Sequence, residues 1–255
     1  MNAVEALKGV LFRSELLTAA LRRLRVLLHY ARGRPHEADF YFLRHPALSA
    51  GLLLDLGANI GQSALSVAAV QPGLEIFSIE ANPACEPGLR TAAALLGRRL
   101  RFRIVGVGSA SGQLDFHVPV RSSRMLLEEG TFDAASLQSD NSKARLGLLG
   151  RDYQLKLLSV PLVTVDSLQL APRVVKMDLQ GLELAALEGM ARTIDDTHPV
   201  FMIEIGERHE QIVAFLAARG YSRWHWDGQA LAAGVRADTL NAIFIHGGDP
   251  LLSAI

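Results

Sequence analysis

Only one cysteine, Cys85, occurs in the 255 residues. A lone thiol excludes an internal disulfide framework and a cysteine metal cluster, and it fits a reducing, cytoplasmic setting. An excess of either charge is also missing. Lys and Arg total 26 and Asp and Glu total 26, so nothing global points to nucleic acid or an acidic polymer as partner. Long apolar runs are absent as well. The apolar residues from Val4 to Leu28 are interrupted by Lys8, Arg13, Glu15, Arg22, Arg23 and Arg25. A transmembrane segment needs roughly 20 predominantly apolar residues, and a secretory leader needs an unbroken apolar centre. Repeats and low-complexity tracts are not found. What is present is a chain with 49 % hydrophobic and 20 % charged residues, enough for a sizeable packed core in a soluble protein.

Two textures divide the sequence. Residues 3 to 31 place Leu7, Leu11, Leu17, Leu21, Leu24, Leu27 and Leu28 mostly three and four apart, with Arg and Lys between. This predicts an amphipathic helix, or two short ones, ended by Gly33, Pro35 and Pro46. Such a helix either lies against the main body or meets a membrane surface or partner. We place an N-terminal helical extension at 1–48 and the main domain at 49–255. From Leu52 onward, short apolar runs alternate with helical segments. Strands are predicted at 52–56, 75–80, 100–107, 174–178, 200–205, 223–226 and 242–246. Helices are predicted at 62–70, 86–96, 183–193 and 210–219. Runs such as Leu52-Leu53-Leu54 are apolar on both faces, as a parallel sheet covered on both sides requires. The fold expected is α/β: a doubly wound, mostly parallel seven-stranded sheet of the Rossmann-like kind. Its last two strands form a late antiparallel pair, an arrangement of class I methyltransferases rather than of dehydrogenases. Residues 109 to 160 break the alternation as a long irregular insertion. They carry His117, Arg121, Arg124, Asp133, Ser136, Asp140, Asn141, Lys143 and Arg145, and substrate contacts are expected there.

The most informative stretch is Asp55-Leu-Gly-Ala-Asn-Ile-Gly61, a buried strand running into a tight turn and a helix. Gly57 permits the turn and a close approach to bare backbone, Asn59 tolerates unusual dihedrals, and Gly61 permits tight packing at the helix start. The second glycine of the dinucleotide fingerprint, which makes room for a pyrophosphate, is missing. S-adenosylmethionine has no phosphate, and Asp55 can serve its ammonium group. Glu80, in Glu80-Ala-Asn-Pro83, ends the second strand, where a carboxylate can take both ribose hydroxyls. The glycines of 106–112 end the third strand at the same edge. The cofactor contacts predicted are Asp55, Gly57, Asn59, Gly61, Glu80, Asn82 and Asp178.

Asp178 closes a strand in Lys176-Met-Asp-Leu-Gln-Gly-Leu-Glu183, and Glu204 ends the next. A parallel sheet brings both to one edge, where paired carboxylates suit acid/base work. Glu183 suits a helix start. The ordered set Asp55–Gly61, Glu80–Pro83, Val163-Thr-Val-Asp-Ser-Leu168, Lys176–Glu183 and Pro199–Glu204 resembles the FkbM family of methyltransferases over roughly residues 36 to 246. The resemblance implies S-adenosylmethionine as donor and O-methylation of a hydroxyl on a natural product or sugar. It departs mildly at Leu179-Gln180 and Leu182, where the family usually has a Val-Glu pair and an alanine.

The acceptor expected is therefore a small hydroxylated molecule, with no nucleic acid. Candidate bases are Asp178, Glu204 and His209. No metal is expected, because no third ligand with clear spacing accompanies the two acids. Two other classes remain: a nicotinamide-dependent oxidoreductase, opposed by the absent middle glycine, and a non-catalytic binder of the adenosyl cofactor.

Overall fold

The protein is described by a computed structural model over residues 15–121, 124–125, 154–206, 208–234, 236 and 239–254. In chain order the elements are α1 (Glu15–Arg32), β1 (Gly51–Leu56), α2 (Gln62–Val70), β2 (Leu74–Glu80), α3 (Glu86–Leu96), β3 (Leu100–Ile104), β4 (Gly106–Val107), β5 (Gly112–Arg121), β6 (Arg124–Met125) and β7 (Gln154–Val163). There follow β8 (Pro172–Met177), α4 (Glu183–Glu188), α5 (Ala191–Thr197), β9 (Val200–Glu204), α6 (His209–Ala217), β10 (Tyr221–Trp226), β11 (Leu231–Ala233) and β12 (Asn241–His246).

The main sheet has the order β11-β10-β12-β9-β8-β1-β2-β3. Strands β3, β2, β1, β8 and β9 are parallel neighbours, and β12 and β10 complete the sheet antiparallel to their neighbours. Strand β12 sits between β9 and β10 rather than at the edge. The doubly wound, Rossmann-like expectation holds, with one addition: the three residues of β11 extend the edge, giving eight strands instead of seven.

Alternation along each strand sends side chains to two cores. One face buries Leu53, Ile76, Val174 and Met202 under α2, α3 and the segment carrying Phe40, Phe42, Leu43 and Leu48. The other buries Leu54, Leu56, Val175, Phe201 and Ile203 under α4, α5 and α6. Helix α3 starts with Glu86 and Pro87 in its first turn, residues that suit the dipole and the unpaired N–H groups there, and it ends at Gly97 with φ 59°.

Three local expectations are corrected. The strand expected over 100–107 divides, because β4 leaves the main sheet to pair with β7. Gly106 and Gly108 allow this, since a Cβ on either would lie 2.9 Å from the Leu162 side chain. The helix expected over 183–193 divides at Gly189, whose backbone lies so close to Gly108 that a Cβ would sit 2.0 Å from its carbonyl oxygen. The insertion is not irregular at its ends. Strands β5 and β7 pair antiparallel from Gly112↔Leu162 to Val120↔Gln154 and bury Phe116, Val118 and Val160 as a small core. Alternation of Leu114, Phe116, Val118 and Val120 is the two-residue period that signals it. Asp133, Ser136, Asp140, Asn141, Lys143 and Arg145 lie outside the described residues, as do the side chains of Arg121 and Arg124.

Candidate functional site

Five parallel strands end at one rim, and the predicted acids meet there. The β1–α2 turn is built by left-handed backbone: Gly57 has φ 84°, Asn59 φ 49° and Gly61 φ 98°. At Gly57 a Cβ would sit 1.8 Å from the Asp178 carbonyl oxygen, so two loops touch through bare backbone. Gly61 packs on α3, where a Cβ would meet Ala92 at 2.8 Å. The turn uses its own donors. Gly57 N–H and Ala58 N–H both donate to the Ile79 carbonyl, Gly61 N–H donates to Ala58, and Asn59 N–H donates to Glu80 Oε2 at 2.7 Å.

Glu80 also accepts from Asn82 N–H through Oε1 at 2.7 Å. A carboxylate offers about four lone-pair sites, so each oxygen keeps one for a ligand hydroxyl. Burial raises the Glu80 pKa, against the pull of those two backbone donors. Asn82 spends its side chain capping the turn at 83–85, accepting from Ala84 N–H at 2.9 Å.

Asp55 is fully buried. Its register neighbours are Ser78 on β2 and Lys176 on β8. Oδ2 accepts from the Ser78 hydroxyl at 2.9 Å, while Oδ1 is buried without a partner. Burial raises its pKa, and the Lys176 ammonium opposes that rise. A buried carboxylate oxygen left unpaired is costly, which makes it an acceptor awaiting a donor. Lys176, itself buried, places Nζ 3.3 Å from Asp178 Oδ2.

Asp178 and Glu204 form the centre of the rim. The Gln180 amide bridges them, donating to Asp178 Oδ1 at 2.7 Å and to Glu204 Oε2 at 3.2 Å. Gln180 is held in the left-handed region at φ 53°, an uncommon conformation for a residue with a side chain. Glu183 fixes this loop from inside, accepting from Leu179 N–H at 2.8 Å and Gly181 N–H at 3.0 Å. The acids divide their titration. Burial opposes the ionised form of Asp178, but the Lys176 charge and hydrogen bonds from Glu204 and Gln180 outweigh it and hold its pKa below the usual range. Burial, and then the hydrogen bond and charge of Asp178, push Glu204 up to about 7. The pair therefore shares one proton near neutrality, on Glu204.

Residues 36–39 complete the rim from upstream. His36 Nδ1 lies 2.7 Å from Ser66 Oγ, and desolvation followed by the nearby Lys176 charge lowers its pKa to about 4, so its ring is neutral. Asn241, the register neighbour of Glu204, donates its amide to Glu37 Oε2 at 3.0 Å and Asp39 Oδ2 at 2.9 Å. Sequence reasoning gave no role to Lys176, Gln180, His36 or Asn241. The signal available was Lys176, a lone cation within the apolar strand Val174–Met177.

His209 is not brought to this cluster. Ile203 points into the core beneath α6, so Glu204 turns to the opposite face. The His209 ring lies beneath α6, with Nε2 2.7 Å from Arg223 Nη1 and the ring 6.1 Å from Phe244. Asp166, in the Thr-Val-Asp-Ser motif, is structural. It caps α5, accepting from Thr193 N–H at 2.8 Å, Thr193 Oγ1 at 2.7 Å and Arg192 N–H at 3.1 Å. Among the described residues no group of His, Cys, Asp and Glu is arranged to hold a metal ion.

The sequence model of the family described as Methyltransferase FkbM domain matches residues 55–223. Among solved structures, the methyltransferase FkbM of Methylobacillus flagellatus is similar at 15 % identity and TM-score 0.51, over 84 % of this chain and 49 % of that one. The present chain thus spans about half the length of that relative. Human methyltransferase-like protein 13, in complex with SAH, aligns at 15 % identity and TM-score 0.39 over 85 % of each chain. Aeropyrum pernix fibrillarin, with natively bound S-adenosyl-L-methionine, aligns at 12 % identity and TM-score 0.39 over 81 % of this chain and 71 % of that one. No curated protein matches the sequence.

Proposed function

The chain belongs to the FkbM methyltransferase family, and from that premise we propose that it is an S-adenosylmethionine-dependent O-methyltransferase acting on a small hydroxylated acceptor. The observation that carries the cofactor reading is the β1–α2 turn. Four of its five N–H groups from Gly57 to Gly61 already have acceptors within the protein, which leaves a poor cradle for a pyrophosphate and favours a cofactor without one.

Bound at the rim, S-adenosylmethionine supplies an electrophilic methyl group on sulfur. Glu80 is the residue for the ribose hydroxyls, using the free lone pairs of its two oxygens. Asp55 Oδ1, buried and unpaired, is the acceptor for the ammonium, directly or through a water. Gly57 and Asn59 shape the approach, and Gly61 and Asn82 hold the flanking backbone.

Glu204 takes the acceptor proton. A pKa of about 7 matches the working pH, where a general base combines adequate ionisation with adequate basicity. Asp178 remains ionised and turns the protonated form of Glu204 into a donor, so the proton stays within the pair. Gln180 keeps the two carboxyls in one geometry, and holding methyl donor and acceptor oxygen in line beside them is a separate contribution of about 7–11 kcal/mol. Glu37, Asp39 and Asn241 give the rim a polar, acceptor-rich edge suited to hydroxyl donors.

The test is release of S-adenosylhomocysteine against a panel of hydroxylated small molecules, with the methyl position read by mass spectrometry. Methyl on oxygen supports the reading. Methyl found only on nitrogen or carbon, or no turnover with any acceptor while the cofactor binds, overturns it.

A further inference from the structure

Helix α1 presents its apolar face the wrong way for a helix stabilised by the body it lies on. Its inner side carries Arg22, Val26 and His29. Val26 is buried, Arg22 donates to the Ala84 carbonyl, and His29 Nε2 lies 3.3 Å from Ser66 Oγ. On the opposite side, at spacings of three and four, Ala20, Leu24, Leu27, Leu28 and Ala31 are exposed. Leu24 and Leu28 are each 50 % exposed and Leu27 46 %, with Tyr30 beside them at 49 %. Large apolar side chains in a contiguous stripe mark an interaction surface rather than scattered surface residues.

Charge selects the partner. Arg23, Arg25 and Arg32 flank the stripe and are exposed, Arg34 just beyond the helix is exposed too, and residues 19–36 contain no Asp or Glu. A second copy of this chain would bring arginine against arginine. An anionic bilayer instead offers acyl chains to the leucines and phosphate to the guanidinium groups, and arginine stems can reach upward to that level. Among the described residues no helix is long and apolar enough to cross a membrane, so the geometry is that of a helix lying in the interface plane. We propose that α1 docks this protein reversibly on anionic lipid surfaces through Leu24, Leu27 and Leu28, with the flanking arginines supplying the preference for negative headgroups. This goes beyond the proposed methyl transfer and does not depend on it.

The experiment is flotation of the full chain with vesicles of phosphatidylcholine alone and of phosphatidylcholine with phosphatidylglycerol. Binding is expected to the mixed vesicles and to fall as salt rises. The double variant Leu24→Ser/Leu28→Ser should lower the bound fraction about tenfold, and Arg25→Gln about fivefold. Because these side chains are exposed, the melting temperature should be retained, so a loss of binding is not a loss of fold. Absence of flotation with the mixed vesicles overturns the proposal, as does equal binding to the neutral ones. A concentration-dependent dimer abolished by the same leucine variant, without vesicle binding, assigns the face to a second copy instead.

Discussion

Replacing Glu204 by glutamine fixes, in one substitution, the protonation state that the rim imposes on this carboxyl at low pH. Burial and the adjoining Asp178 raise the Glu204 pKa from an ordinary 4.5 to about 7. Below 4.5 the group is protonated in both folded and unfolded chains. Between 4.5 and 7 the unfolded chain releases a proton that the folded chain keeps, so folding stability falls as pH rises. Above 7 the folded carboxyl is ionised too, and the loss is complete. A raised pKa of this size corresponds to about 3 kcal/mol at roughly 1.4 kcal/mol per tenfold. Glu204 is partly exposed, and screening reduces the expected value to about 1–2 kcal/mol. Glutamine keeps an acceptor for Gln180 and a donor toward Asp178, but it cannot ionise. Glu204→Gln should therefore be more stable than the parent at pH 8, by about 1–2 kcal/mol relative to their difference at pH 4.5, and should lose turnover by about 10²–10⁴-fold. Urea unfolding at the two pH values reads the first quantity and S-adenosylhomocysteine release reads the second. Asp178, the partner of Glu204, is held below the usual carboxylate range and stays ionised across this window, and the titrating groups that do not touch the pair are common to both proteins and cancel. Parallel stability profiles, or a variant that turns over like the parent, would refute the assignment of the shared proton to Glu204.

Gly57→Ala drives a Cβ to 1.8 Å from the Asp178 carbonyl at φ 84°, so cofactor binding should be lost and the melting temperature should drop. Differential scanning calorimetry with and without the cofactor checks both. Glu80→Gln places an amide N–H₂ against one of two backbone donors, Asn59 or Asn82. It should weaken cofactor affinity about tenfold or more, as read by isothermal titration. Lys176→Met leaves the buried carboxylate of Asp55 and that of Asp178 without their cation and should cost about 3–5 kcal/mol at pH 8. Without Lys176 the pKa of each carboxylate rises, so in the variant both protonate at a higher pH than in the parent and the loss should shrink as pH falls, which urea titrations at pH 8 and 4 would show. Asp166→Ala removes the cap of α5 and should cost about 1 kcal/mol, with kcat unchanged.

The features legible in the sequence were those enforced locally. Left-handed backbone at 57, 59 and 61 accepts Gly or Asn at little cost, so the turn announced itself. Apolar strands likewise follow from a sheet buried on both faces. The roles that escaped notice depend on register between distant segments. Lys176 matters because β1 lies between β8 and β2, setting Asp55 between it and Ser78. His36 and Glu37 reach the rim by tertiary packing of the chain before β1. His209 reads like a base in sequence because it closely follows Glu204, yet the alternation of side chains puts it across the sheet. The division at Gly189 answers to Gly108, a neighbour in space alone.

The ligand proposed for the rim of β1, β2 and β8 is a sulfonium nucleoside rather than a dinucleotide. Calorimetric titration of the full chain with S-adenosylmethionine, with NAD as the paired ligand, tests it most directly. Saturable one-to-one binding of the first, weakened in Glu80→Gln, and no heat from the second, is the predicted result. Saturable binding of NAD with none of S-adenosylmethionine would contradict it.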